Sequence, residues 1–457
     1  MIIQLARSLY PYIAPYRWRV IGSVAFSLAL AGIKFGQAYL VKPIFDKGLT
    51  NDASWGEVVG LAGILLGLGI LNFPCRFYHF YWIRYVVYRA TWTVRDEVFQ
   101  KLQRLPTSYF ANSKQGHLIS HILNDAQTFS QGFRNSVDLV REPLTALFMF
   151  GLALYRDWQL TMVIVVVAPL FAIIFQKSGK RIRGNQSDVQ EEISHMTHAI
   201  GEGVSGHKIT KAFNLQEYVI GRFRYVQDKY FNAQMRTTFT EEIAHPLVEF
   251  VGALAFSGVI LFAHHRIQSG EISTGDFVSF ITALALLMDP IRKYSQANVK
   301  LNQAKAAADR LFHILELEEE KNEGEVDLTE FRDSLKIHHL NFSYGEGDVL
   351  QDFNLEVKRG QKVGLVGLSG SGKSTLINLL LGLYPVRPKT IFIDGHPIED
   401  ISLKSLRNLF GLVSQDIFLF HDTVRENLCL GSDYSEEEIQ NALDVAYARD
   451  FVDNLPQ

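Results

Sequence analysis

One octet in this sequence has the residue types and spacing to hold phosphate. Gly367-Leu368-Ser369-Gly370-Ser371-Gly372-Lys373-Ser374 matches G-x-x-x-x-G-K-[ST] in full. Glycines let such a backbone curl until its N–H groups converge on phosphate oxygens, and the start of the next helix adds partial positive charge. In a loop of this kind Lys373 reaches the β- and γ-phosphates and Ser374 offers a hydroxyl to Mg²⁺. The β-rich run Val363-Gly364-Leu365-Val366 before it and the apolar run Thr375-Leu376-Ile377-Asn378-Leu379-Leu380 after it predict strand, loop and helix in that order. That context argues against a chance Gly/Ser turn and for binding of a nucleoside triphosphate.

A second set of residues is cationic and lies where charge is costly. Lys34, Arg76, Arg141 and Arg292 fall within long apolar stretches, and an ionisable group there defaults to a functional reading. For Arg141 and Arg292 a simpler reading also stands, a side chain that snorkels to the headgroups. Arg76 lies deep in its stretch, with Pro74 and His79 marking a polar spot around it.

The elements that must position these groups divide into two unlike halves. Six apolar stretches, at about 20–41, 58–83, 137–155, 159–176, 247–264 and 276–292, are long enough or nearly so to cross ~30 Å of hydrocarbon as helices. The first continues past Ala31 to Val41, too long for the apolar core of a cleavable signal. Connection 84–136 holds seven cations (Arg84, Arg89, Arg95, Lys101, Arg104, Lys114 and Arg134), and connection 177–246 holds ten. The other three connections share only Lys42, Lys47, Arg156 and Arg266, so both termini and both long connections are expected on the cytoplasmic side. Val94, Val98, Leu102 and Leu105 have helical spacing, so the membrane helices are expected to run on into the cytoplasm and turn back near 112–124 and 206–216.

The resulting division is a transmembrane domain over 1–313, an acidic solvated linker over 314–334, and a soluble α/β domain over 335–457. Strands are expected at Lys336 to Tyr344, Val363 to Gly367, Thr390 to Asp394 and Gly411 to Ser414. Composition agrees with a membrane protein: 47% of the 457 residues are hydrophobic and 20% charged, against about a quarter charged in soluble domains. A net charge of −3 gives no basic excess for nucleic acid. The two cysteines, Cys75 and Cys429, fall in different predicted domains, so no disulfide is expected. His195 and His198 lack a partner at metal-ligand spacing and read as an exposed helix face.

Phe342-Ser343-Tyr344 before the octet and Leu412-Val413-Ser414-Gln415-Asp416 after it complete a pattern that resembles the ATP-binding cassette family, and the six preceding helices resemble its exporters. The resemblance covers nearly the whole chain, including Asp422-Thr423-Val424-Arg425-Glu426-Asn427. It implies ATP and Mg²⁺ as cofactors, with Tyr344 stacking on adenine, Gly367, Ser369, Gly370, Ser371, Gly372, Lys373, Ser374 and Thr375 around the phosphates, and Ser374 with Gln415 at Mg²⁺. Pro388-Lys389-Thr390 departs from the family, which has a glycine there, and puts only a turn in doubt. The chain stops at Gln457, before the places where the family carries its signature, its Walker B aspartate and its switch histidine, so no catalytic residue is assigned and this polypeptide is not expected to hydrolyse ATP by itself.

Within the exporters the chain is most similar to the lipid A flippase family. Val41-Lys42-Pro43-Ile44-Phe45-Asp46-Lys47-Gly48, Val140-Arg141-Glu142, Gly206-His207-Lys208 and Met288-Asp289-Pro290-Ile291-Arg292 carry that resemblance. It implies a homodimer of half-transporters in a bacterial inner membrane, with Arg76, Arg141 and Arg292 lining a cavity and holding glucosamine phosphates. Guanidinium groups suit that task because they bind phosphate bidentately. Three other readings are weighed beside it: a multidrug or peptide exporter on the same scaffold, a channel-like or regulatory membrane protein gated by ATP, and a soluble P-loop enzyme, which the six spans oppose.

Overall fold

The computed structural model describes residues 10–49, 53–112, 115–345, 347–415 and 417–455. Lys114, counted above among the cytoplasmic cations, and Asp416 lie outside the described residues. The chain divides into two compact units, Met1–Arg104 with Ser113–Glu318, and Leu105–Asn112 with Glu319–Gln457.

Long helices make up the first unit. They are α1 (Arg17–Pro43), α2 (Trp55–Arg104), α3 (Ala126–Asn135), α4 (Asp138–Arg156), α5 (Trp158–Ser205), the short α6 (His207–Ala212), α7 (Gln216–Gln268) and α8 (Thr274–Glu316). The helices carry far past the apolar stretches, as the spacing of Val94, Val98 and Leu102 requires, because all three of these side chains are buried. Pro74, Pro143, Pro169, Pro246 and Pro290 sit inside helices. In water each would cost about 3 kcal/mol, whereas membrane helices tolerate them.

Among the described residues five helical segments are long and apolar enough to cross a membrane: Tyr10–Gly48, Trp55–Arg104, Trp158–Ser205, Gln216–Gln268 and Thr274–Glu316. The expected third span forms as α4, but Asp138, Arg141, Glu142 and Arg156 lie within its 19 residues, and it is not among those five. Its apolar content faces inward instead: Met149, Leu152 and Ala153 are fully buried against Ala38, Phe280 and Ala283.

The turn between α4 and α5 is as tight as the sequence implies. Asp157 alone breaks the helices, and its carboxylate accepts from Gln159 N at 2.8 Å and Leu160 N at 2.9 Å, capping α5. Arg266 pairs with that carboxylate at 3.0 Å, which ties the end of α7 to the start of α5. Helix α8 starts on a capping box of Ser273 and Asp276. Lys42 meets Asp276 at 2.7 Å, and Asp46 accepts from Gly275 N at 2.8 Å. A Cβ on Gly275 would come within 2.5 Å of that carboxylate, so the approach needs glycine.

Helices α5 and α7 pair with each other along their length, joined deep in their extensions by Asn185 to the Thr240 hydroxyl at 3.3 Å. Val163, Ile164, Val259 and Ala263, near the turn end of the pair, join the core of the other helices. Val166, Leu170, Phe250 and Leu254, further along, remain exposed.

The second unit contains one antiparallel sheet in the order β2-β1-β3-β4, from β1 (Ser334–Ser343), β2 (Asp348–Lys358), β3 (Ile391–Ile393) and β4 (His396–Pro397). Its core is Ile337, Leu340, Leu350, Ile391 and Ile393 on strands, closed by Leu376 and Leu379 of helix α9 (Lys373–Leu380). Strand β2 has no counterpart in the sequence expectations.

Two expected strands do not form. Residues 361–368 and 410–414 take no strand conformation, and Val366 and Val413 are 99% and 98% exposed. A strand exists only through hydrogen bonds to a neighbour, and among the described residues no strand pairs with either run. The acidic linker also departs from expectation, since it lies against its own unit. Glu320 pairs with Arg407 at 2.6 Å and Val326 bridges Ile401.

Candidate nucleotide-binding loop and transmembrane charge cluster

The loop 367–374 has the local geometry its glycines predict. Gly370 and Gly372 have φ of +83° and +85°, a region that side chains rarely enter. Gly372 is also pressed on β2, where a Cβ would stand 2.7 Å from Leu350 Cδ2 and 3.2 Å from Val349 O. Ser371 N donates to Leu368 O at 3.1 Å, closing the turn. Gly372 precedes α9 with no side chain capping it, so the first amides of that helix stay open to an anion.

Lys373 folds back over the loop. Its ammonium donates to the carbonyls of Gly367 and Leu368 at 2.8 Å each and to Ser371 Oγ at 3.3 Å. It therefore sits on the curled backbone whose amides would receive phosphate. Ser369 and Ser374 are exposed, and Thr375 is buried.

Tyr344 stands beside this loop, as the sequence reading expects. Its hydroxyl donates to Thr375 Oγ1 at 3.3 Å, and its ring meets Phe342 and Tyr384 edge-on at 4.9 and 5.0 Å. Half of the side chain is still exposed, leaving a free edge for a stacking partner. Burial, with Tyr344 alongside, pushes the Tyr384 phenol up. Tyr384 was absent from the sequence reading because a lone tyrosine after α9 carries no motif. Gln415 is not brought to the loop: it lies exposed in the unpaired run, and among the described residues no hydrogen bond ties it to Ser374. The residues present fit ATP at its phosphates, while for Mg²⁺ only the Ser374 hydroxyl is in position.

In the helical unit the three predicted arginines meet different fates. Arg141 is 9% exposed and surrounded. It donates to Glu142 Oε1 from Nε at 3.0 Å, to Asp138 Oδ1 at 2.7 Å and to His79 Nε2 at 3.2 Å. His79 Nδ1 lies 2.9 Å from the Ser23 carbonyl, which can only accept, so that nitrogen carries the proton and Nε2 is free to accept from Arg141. Sequence reading saw His79 only as a polar mark, because its partner Ser23 is 56 residues away. Arg292 is exposed and pairs with Asp289 at 2.9 Å, which also holds Lys293. Arg76 is exposed. Lys34, half-buried, lies within electrostatic reach of Glu142, Lys293, Asp289 and Arg141.

Comparison with known proteins decides what such a pairing of units is. Residues 20–291 match the family model of the ABC transporter transmembrane region, and residues 350–456 match the family model described as ABC transporter. The chain belongs to the ABC transporters. It is 32% identical to the ATP-dependent lipid A-core flippase of Nitrosococcus oceani over 98% of this chain and 76% of that protein. Flippases of the same name from Desulfotalea psychrophila and Acinetobacter baylyi are each 31% identical, covering 99% and 98% of this chain and 80% and 78% of theirs. The chain is thus an ABC exporter, with a multi-pass helical membrane unit and an ATP-binding unit, and it is similar to lipid A-core flippases.

Proposed function

We propose that this ABC exporter flips a phosphorylated glycolipid of the lipid A type from the inner to the outer leaflet of a bacterial inner membrane, as a homodimer with its termini and ATP-binding units in the cytoplasm. The observation that carries the reading is the concentration of cations on the membrane helices, Lys34, Arg76, Arg141, Arg292 and Lys293, in a chain that also carries a complete phosphate loop. Cations there are retained for an anionic cargo or a structural need, and a lipid with two phosphates supplies the first. Similarity to proteins named lipid A-core flippases supports the same cargo.

ATP, when bound, supplies the free energy for switching. The chain's own part is to hold the phosphates at the loop amides and Lys373, to place Tyr344 against the base, and to offer the Ser374 hydroxyl to Mg²⁺. One membrane unit and one ATP-binding unit per chain support pairing with a second copy.

The test is ATPase activity of the full-length protein in lipid nanodiscs with lipid A and with a panel of cationic drugs, repeated with Arg76→Ala, Arg141→Ala and Arg292→Ala. Lipid A is expected to stimulate turnover, and the variants to blunt the response. Stimulation by drugs but not lipid A, or an unchanged lipid A response in all three variants, removes the phosphate-holding reading.

A further inference from the structure

Of the five cations named under Proposed function, three are already engaged by carboxylates. Arg141 is held by Glu142 and Asp138, while Arg292 and Lys293 share Asp289. Arg141 has five N–H groups, and Nε, both hydrogens of one terminal nitrogen and one of the other are spent on Glu142, Asp138 and His79. A bidentate grip on a phosphate is therefore closed to it while those bonds stand. Lys34 and Arg76 differ, because among the described residues neither has a hydrogen bond or an ion pair.

The packing of α1 on α2 relates these two. Gly22 meets Trp82, Ser23 meets His79, Gly36 meets Leu68, and Leu30 and Ile33 cluster with Cys75, so the two helices run antiparallel. At about 100° per residue, Lys34 and Arg76 each lie roughly 90° round from the centre of that contact. Successive residues turn in opposite senses on antiparallel neighbours when both are viewed from one end. Both cations therefore fall on the same side of the pair. The Gly22·Trp82 and Gly36·Leu68 contacts set Lys34 level with residue 70, some six residues or ~9 Å along the axis from Arg76.

We infer that Lys34 and Arg76 form a two-point site for a doubly phosphorylated lipid headgroup, with Lys34 a cargo-contacting residue outside the three arginines named above. This rests on the lipid reading under Proposed function and changes which cations carry it. An ammonium that no carboxylate hydrogen-bonds is costly to keep on a membrane helix, and two such cations on one side of a helix pair, offset by ~9 Å along its axis, suit two phosphates on a sugar scaffold better than one. Arg141, fixed by His79 and its carboxylates, then shapes the wall beside the site.

The test is direct binding to the full chain in nanodiscs, with diphosphoryl lipid A, monophosphoryl lipid A and phosphatidylethanolamine as probes. Lys34→Met is expected to weaken diphosphoryl lipid A by about tenfold or more, the scale of one charge-assisted bond, and to leave the two lipid A forms binding alike. Lys34→Arg is expected to restore the preference, and phosphatidylethanolamine to be unaffected in every variant. Unchanged preference in Lys34→Met, with Arg76→Ala impaired, overturns the role of Lys34 and leaves the lipid reading standing. A wild-type chain that binds lipid A no better than phosphatidylethanolamine overturns the lipid reading itself. A lower melting temperature in Lys34→Met that Asp289→Asn repairs also overturns the inference, since Lys34 would then be the partner of Asp289.

Discussion

In the proposed nucleotide site, Tyr344 and Lys373 are the residues on which affinity is expected to turn most directly. Tyr344→Phe keeps a ring against Phe342 and Tyr384 and loses only the bond to Thr375, so ATP affinity measured by titration is expected to change little. Tyr344→Ala removes the stacking face and is expected to weaken binding by roughly 1 kcal/mol, about fivefold. Lys373→Ala removes both a phosphate contact and the clasp on the Gly367 and Leu368 carbonyls, and binding is expected to fall by more than tenfold, the scale of a charge-assisted bond. That Tyr344 and Lys373 meet at one loop was legible because each sits at a fixed offset in a motif. His79, Ser23 and Tyr384 were not, since their roles come from contacts between distant segments that no local spacing reports.

At the scale of elements, caps and turns decide more than propensity. Gly372→Ala forces a side chain into a left-handed backbone and onto Leu350; unfolding of the ATP-binding unit is expected to become easier by about 2 kcal/mol or more, read as a lower melting temperature. Asp125 offers a pH handle outside the membrane. Bidentate bonds from Arg310, with His121 adding a third, hold its carboxyl below the usual carboxylate range. A depressed folded value means the stabilisation is present above the unfolded value of about 4 and is lost as pH falls through the folded one. The melting-temperature difference between wild type and Asp125→Asn is therefore expected to persist at pH 7 and to shrink below about pH 4. Helix lengths were legible because burial at Val94, Val98 and Leu102 keeps its period across the membrane boundary. The strands at 363–367 and 411–414 were misread because β-branched composition describes a preference, whereas a strand also needs a neighbour to bond, and β2 was missed because Asp348 to Lys358 mixes charge with its apolar positions.

For the whole molecule, the helices spanning Trp55–Arg104, Trp158–Ser205 and Gln216–Gln268 require that the chain leave membranes with detergent and resist high-salt or alkaline washing. The proposed homodimer predicts that sedimentation in detergent returns the protein mass of two chains; the mass of one chain would remove it. Two-part organisation was legible from the composition change after Arg310, and the family from its motifs; the way charges neutralise one another inside the helical unit was not, because it depends on which helices touch. The α5–α7 pair carries one more consequence. Its firmest attachment is near the Asp157 turn, and the 48 residues of α5 extend ~72 Å from it. A pair braced along its own length and anchored at one end works as a lever arm, so a tilt of only ~5° at the anchor sweeps its far tip by ~6 Å, about the height of a full helical turn. Small rearrangements around Asp157 and Arg266 are thus geared up to displacements at the tip that are comparable to the size of a side chain.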